Sequence, residues 1–227
     1  RTAPENRGVS VGLTSFLQNF NLFDFIITIC AVIIALTFHE LMHGVVAYKL
    51  GDPTAKNAGR LTLNPLRHLD PIGLICMVLF RFGWAKPVPV DMRNFKHPRR
   101  DMALVAAAGP LTNLLLGFIC VFFYYVIMLY ADRVVFLRAM ATFLMVLGNL
   151  SVGFAVFNFL PIPPLDGSRV AGLFLPPKWY WWLMRYERYI QIGLLVLLYL
   201  GVLTVPLNWA RSWVMTGIEK IVRWILL

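Results

Sequence analysis

Charge is scarce in this chain. Lys, Arg, Asp and Glu make up 14% of its 227 residues, and only eleven of them are acidic. So little charge cannot solvate the surface of a water-soluble domain of this size, which excludes an ordinary soluble globule. Cysteine is scarce too. Cys30, Cys76 and Cys120 are odd in number and embedded in apolar sequence, so packed thiols are expected and a disulfide framework is excluded. None is paired at ligand spacing, and none is expected to hold a metal. Low-complexity segments, internal repeats and Gly/Ser linkers are absent, so residues 1–227 are expected to form a single domain. Residues 1–20 lack a basic n-region followed by a cleavage site, and no signal peptide is expected.

What the chain has is apolar sequence. Hydrophobic residues make up 59% of it and the mean hydropathy is +0.70, values that belong to an integral membrane protein. The net charge of +10 would suggest nucleic acid in a soluble protein. Here the cations cluster between apolar segments, where topology and anionic lipid account for them, and no basic-aromatic module is present. Nucleic acid is therefore not an expected partner; the lipid bilayer is.

The hydrophobic pattern predicts spans over about Asn21–Tyr48, Met102–Tyr130, Ala139–Leu160 and Tyr189–Val205. Gly51-Asp52-Pro53 ends the first. The apolar piece from Pro71 to Phe82 is too short to span comfortably and reads as re-entrant or surface-lying. Lys86-Pro87-Val88-Pro89-Val90 reads as extended, because two prolines forbid helix and limit sheet pairing. Trp179-Tyr180-Trp181-Trp182 reads as an interfacial aromatic belt. The tail from Trp209 to Leu227 reads as an amphipathic interfacial helix with Ile218, Ile221, Val222 and Ile225 on one face. The fold expected is thus an all-α membrane bundle of about four to six transmembrane helices, with a short re-entrant or β-like segment and an interfacial C-terminal helix. Of 21 Lys and Arg, fourteen fall in 49–101 and 161–188, which favours those regions as cytoplasmic. The C-terminal ends of the first and third spans then share one face, toward the cytoplasmic side of a multi-pass cell (inner) membrane protein.

That face carries the chemistry. His39-Glu40-Leu41-Met42-His43 follows the apolar run Phe25–Leu36. Histidines at i and i+4 share one side of a helix, where both imidazoles can bind a single Zn²⁺ with the intervening Glu beside the water. Three polar groups in an apolar helix are costly, which marks a functional site. A catalytic zinc takes three protein ligands and leaves one position open, so one ligand is missing. Asp166 is the leading candidate, brought to the same depth by topology behind Pro161-Ile162-Pro163-Pro164; Gly167 would allow a turn at positive φ that swings its carboxylate inward. Helix capping is its bland alternative. Asp70, His68 and His97 are rival ligands in more polar sequence.

These residues carry a resemblance. The His39–His43 motif, Gly109-Pro110-Leu111-Thr112-Asn113 opening the second span, and the Asn158…Pro161…Asp166-Gly167 pattern resemble the site-2 protease family of intramembrane zinc metalloproteases. The resemblance covers about Ala31 to Gly172 and implies hydrolysis of peptide bonds in or near transmembrane segments of membrane-protein or membrane-peptide substrates. It implies one zinc per chain on His39, His43 and Asp166, with Glu40 as general base. Asn113 and Asn158 would contact substrate or steady the site, supported by Gly109 and Pro161. The short form, without a PDZ insertion or a CBS module, is expected. Pro87, Val88, Pro89 and Val90 could clamp an unwound substrate strand by backbone pairing, or could form a surface connector. A CAAX-type hydrolase would use a Glu as third ligand, for which Glu187 and Glu219 lack matching context. A transporter should scatter ionisable groups over several spans, and a silent scaffold has no need of Glu40.

Overall fold

The computed structural model describes residues 21–70, 73, 86–130 and 134–227. Helix α1 (Leu22–Lys49) starts at Asn21, whose side chain accepts from the Phe23 N–H, and places Asp24 in its first turn and Lys49 in its last, both favourable to the helix dipole. It stops at Gly51, whose φ of +107° is a conformation that side-chain-bearing residues rarely adopt. A single-turn helix α2 (Thr54–Asn57) follows, and then 3₁₀ turns at Pro65–Arg67 and Met92–Asn94. The expected re-entrant piece, Pro71–Phe82, lies outside the described residues apart from Gly73. Residues 86–90 are extended, as their prolines require, and no β-strand forms among the described residues.

Helix α3 (Pro98–Tyr130) is the centre of the molecule and packs on α1, on α4 (Val135–Asn158) and on the short α5 (Asp166–Ala171). Close approach of α3 and α4 depends on missing side chains. A Cβ on Gly117 would lie 2.6 Å from Val152 Cγ2, and one on Gly148 would lie 3.2 Å from Cys120 Cβ. Small residues at such crossings are how helices pack where water supplies no driving force. Ala31, Ala35, Cys120 and Leu147 fill the seam among α1, α3 and α4. Leu111, Leu115, Ile119 and Phe123, one turn apart on α3, stay exposed. Such a row would be an aggregation liability in water and is the natural lipid face of a membrane protein. Cys120 is packed as expected, while Cys30 lies exposed on α1 and Cys76 is outside the described residues.

α1, α3 and α4 are each long and apolar enough to cross a bilayer. Beyond them the chain continues as α6 (Pro177–Arg185), α7 (Glu187–Tyr199) and α8 (Thr204–Leu226). The expected span over about Tyr189–Val205 falls on α7 and the start of α8, which bend by 85° at a break that contains Gly201 at φ +72°. Counting the bent pair as one gives four spans. α8 packs against α3 and α4, burying Met215 and Val222 beside Val121 and Val152. Its inward stripe is therefore Met215, Ile218, Val222 and Leu226, and Ile221 and Ile225 are half-exposed instead of sharing it. A stripe rule cannot choose among adjacent apolar residues; contact with α3 and α4 does. The result is an all-α membrane protein with His39, Glu40 and His43 toward the C-terminal end of α1.

Candidate metal centre

His39 and His43 stand one turn apart on α1, with ring centroids 4.7 Å apart and planes at 86°. Asp166 is the first residue of α5, after the apolar N-cap residue Leu165, and its carboxylate points at the histidines. Asp166 Oδ2 is 3.1 Å from His39 Nε2 and 3.3 Å from His43 Nε2. One ligand atom from each residue lies within 4.8 Å of the other two, and among the described residues no other three ligating side chains converge in this way. Both histidines are buried. Burial alone would raise the Asp166 carboxyl, but hydrogen bonds and charge from the two imidazoles hold it well below the usual carboxylate range.

The second layer of contacts suits a divalent metal. His43 Nδ1 donates to the Val105 carbonyl at 2.7 Å, which puts a proton on Nδ1 and leaves Nε2 as the nitrogen available to a metal. His39 Nδ1 faces the amide of fully buried Asn113 at 3.2 Å. Asn113 Oδ1 is buried without a partner. Half a turn of that amide would offer Oδ1 to a His39 Nδ1–H and free Nε2 for a metal in the same way. Space is also reserved. A Cβ on Gly109 would fall 2.5 Å from His43 Nε2 and 2.7 Å from His39 Cε1, so only glycine lets α3 pass behind both rings. Two imidazoles and a carboxylate are a normal zinc donor set, and the residues fit the ion.

The remaining elements hold Asp166 in register. A Cβ on Gly167 would lie 2.3 Å from the Phe159 carbonyl oxygen. Gly167 is helical, not at positive φ as expected from the sequence; its role is close approach to the end of α4. Arg99 on α3 donates to the carbonyls of Gly172 and Leu175, both at 2.7 Å, which fastens the far end of α5. Glu40 Oε2 accepts the Val88 N–H at 3.0 Å, so the extended 86–90 segment lies across the glutamate. Fully buried Asp52 anchors that segment through the Asp91 N–H (2.8 Å) and Asn94 Nδ2 (2.7 Å).

The other sequence candidates are engaged elsewhere. His68 Nε2 bonds the Thr62 carbonyl, Asp70 accepts from the Gly73 N–H, and His97, whose backbone N–H goes to Asp101, does not join the cluster. Glu187 pairs with Arg169 at 2.8 Å and Glu219 stands 3.9 Å from Arg223. Asn158 bonds back to Phe154 in its own helix, and Pro161 is exposed in the turn that follows α4. Val105 and Asp52 carry no motif. A backbone carbonyl has no sequence signature at all, whereas the Asp52-Pro53-Thr54 turn could have been found as a side-chain-to-backbone bonding site.

No family model matches the chain, and no solved structure matches it. It is 45% identical over 153 residues to the candidate zinc metalloprotease YwhC of Bacillus subtilis, covering 66% of this chain and 69% of YwhC. The candidate zinc metalloprotease MJ0611 of Methanocaldococcus jannaschii is 32% identical over 67% of this chain and 72% of its own length. Rip2 of Mycolicibacterium smegmatis, of the same description, is 33% identical over 68% of this chain and 59% of its own. With its apolar helices and its convergent His39, His43 and Asp166, the chain belongs to this family of membrane zinc metalloproteases.

Proposed function

We propose that the chain is an intramembrane protease of the site-2 type, which cleaves peptide bonds in or near transmembrane segments of membrane-protein substrates. The observation that carries this is the convergence of His39, His43 and Asp166 among apolar helices, with Glu40 on the same helix. One zinc per chain would be held by those three residues. Zinc bound there would supply Lewis acidity and a more acidic water. Glu40 takes the proton of the attacking water on its carboxylate and delivers it to the leaving amine nitrogen. The Val88 N–H fixes Oε2 and so orients that carboxylate before substrate arrives. Asn113 and the Val105 carbonyl keep the two imidazoles aimed at one point.

A helical substrate hides its carbonyls in its own hydrogen bonds and must unwind before attack. The 86–90 segment is suited to receive the unwound strand. Pro87 and Pro89 own no N–H, and Val88 gives its N–H to Glu40, so Val90 holds the free donor of the Pro87–Val90 stretch. Replacing both prolines and finding unchanged cleavage would remove the clamp. The excess of Lys and Arg in 49–101 and 161–188 supports a site on the cytoplasmic side of the cell membrane.

The test is elemental analysis of detergent-purified protein, paired with cleavage of a membrane-peptide substrate. Wild type should carry about one zinc per chain and Asp166→Ala should lose it, while Glu40→Gln should keep zinc and lose turnover by at least about a hundredfold. Zinc-free wild type, or a Glu40→Gln variant within tenfold of wild type, would overturn the proposal.

A further inference from the structure

Away from the metal centre, a cavity of about 440 Å³ lies beside the 86–90 segment, lined by Arg60, Leu66, Arg67, Lys86, Pro87 and Pro89 among others. Among the described residues its lining has three cations and no carboxylate. The acidic residues nearest in sequence are engaged elsewhere: Asp52 with Thr54, Asn94 and the Asp91 N–H, Asp70 with the Gly73 N–H, and Asp91 with Arg93. Arg60 is only 6% exposed, its Nη2 donates to the Lys86 carbonyl at 2.5 Å, and its Nε is buried without a partner. A buried guanidinium held by one neutral carbonyl is poorly compensated, because burial of charge is costly unless it is paired. Arg67 and Lys86 are exposed at the mouth and make no ion pair among the described residues. Planar guanidinium donors suit phosphate oxygens, and the volume falls within the roughly 300–1,000 Å³ of small-ligand sites.

We propose that this cavity is a binding site for a phosphate-bearing anion, free phosphate or the headgroup of an anionic phospholipid, held by Arg60, Arg67 and Lys86. Occupancy reaches the metal centre through short, defined contacts. Arg60 already grips the backbone of Lys86, and two residues later Val88 holds Glu40. An anion that draws the three cations together firms the segment that lies across Glu40. A lipid headgroup is a natural source where basic residues flank membrane spans, since anionic leaflets attract such segments.

The experiment titrates the full chain in neutral detergent with inorganic phosphate and, separately, with dioctanoyl phosphatidylglycerol, by calorimetry. Arg67→Glu/Lys86→Glu is compared with Lys96→Glu/Arg100→Glu, an equal charge change at exposed residues outside the cavity lining. At least one probe should saturate with one site per chain, bind at least tenfold more weakly to the cavity variant and stay within twofold for the control. Amide exchange in 86–90 should slow on saturation. Binding of both probes assigns free phosphate as sufficient; binding of the lipid alone assigns the headgroup. Absence of saturable binding, equal weakening in both variants, or binding only of an acidic peptide with both phosphate probes inert would overturn the proposal. None of these readouts needs zinc or cleavage, so their failure is distinct from failure of the protease reading.

Discussion

The metal centre and the C-terminal helix α8 are held to the same central helix by different means. Around His39, His43 and Asp166 the chain uses absent side chains and buried polar bonds: Gly109 behind the rings, Gly167 against α4, Asn113 and the Val105 carbonyl on the imidazoles. α8 attaches through ordinary apolar contacts of Met215 and Val222, with Arg223 reaching the Tyr125 hydroxyl at 2.8 Å. The first kind of junction tolerates almost no added atom; the second tolerates many. Gly217, on the open side of α8, is the opposite extreme, since a Cβ there meets nothing within 4 Å. A site that must hold three ligand atoms at one point needs the first kind of packing. A peripheral helix needs only enough contact to stay attached.

The largest expected effect follows from placing the same methyl behind the two imidazoles and on the open side of α8. Gly109→Ala drives a Cβ into both ligand rings, which cannot retreat without breaking their bonds to Val105 and Asn113. Zinc affinity should fall by about 10–100-fold, the range for disturbed outer-shell contacts. Gly217→Ala should leave zinc affinity unchanged and raise the melting temperature slightly, because helical Ala is favoured over Gly by about 0.5–1 kcal/mol. Competition with a chelator reads the first, a thermal scan the second. Equal zinc affinity in both variants would erase the distinction between the junctions.

Asn113→Ala sharpens the same comparison without adding atoms. It removes the partner of His39 Nδ1 and leaves the ligands in place, so zinc affinity should drop about tenfold with helix content unchanged. Wild-type affinity would make the buried amide a packing group only.

How legible these junctions were in the sequence follows the same division. His39, Glu40 and His43 could be read because their spacing is set within one helix, where geometry is local. Asp166 could be read only through topology, which brings the ends of the first and third spans to one face. The reason for Gly109 was hidden: the motif marks the residue, and the clearance behind two imidazoles exists only once α1 and α3 are packed. At the other end of the chain, apolar residues at nearly every position of 187–205 satisfied any span boundary. The break falls at Gly201, whose positive φ the apolar pattern does not mark, and the inward choice of Met215 over Ile221 belongs to tertiary contact.

Asp52 joins the metal-centre region to the segment that covers it, and its effect should be pH-dependent. Burial opposes ionisation, but bonds from Thr54, the Asp91 N–H and Asn94 outweigh it and hold the carboxyl below its ordinary value. A depressed folded-state pKa stabilises the fold above the unfolded value, near 3.9, and that stabilisation disappears as pH falls through the folded pKa. Asp52→Asn should therefore be less stable than wild type by about 1–3 kcal/mol near neutrality. The gap should begin to close below about pH 4. Melting curves of both proteins across pH 3–7 check this, and a gap independent of pH would assign the loss to shape instead of charge.

The smallest effect belongs to the peripheral junction. At φ +72° Gly201 turns the chain between α7 and α8, and a β-carbon in that region costs about 1–2 kcal/mol. The nearest atom to a Cβ at this position is Thr204 Oγ1 at 3.7 Å, so no clash adds to the strain. Gly201→Ala should lower the melting temperature by a few degrees while zinc content and affinity stay at wild-type values. The bend and the metal centre touch α3 at separate places, α8 beside Val121 and the histidines beside Val105 and Gly109. Local strain at the first has no rigid path to the second. If Gly201→Ala nevertheless weakened zinc binding, the two junctions would be one cooperative unit, and α8 would be part of what builds the site.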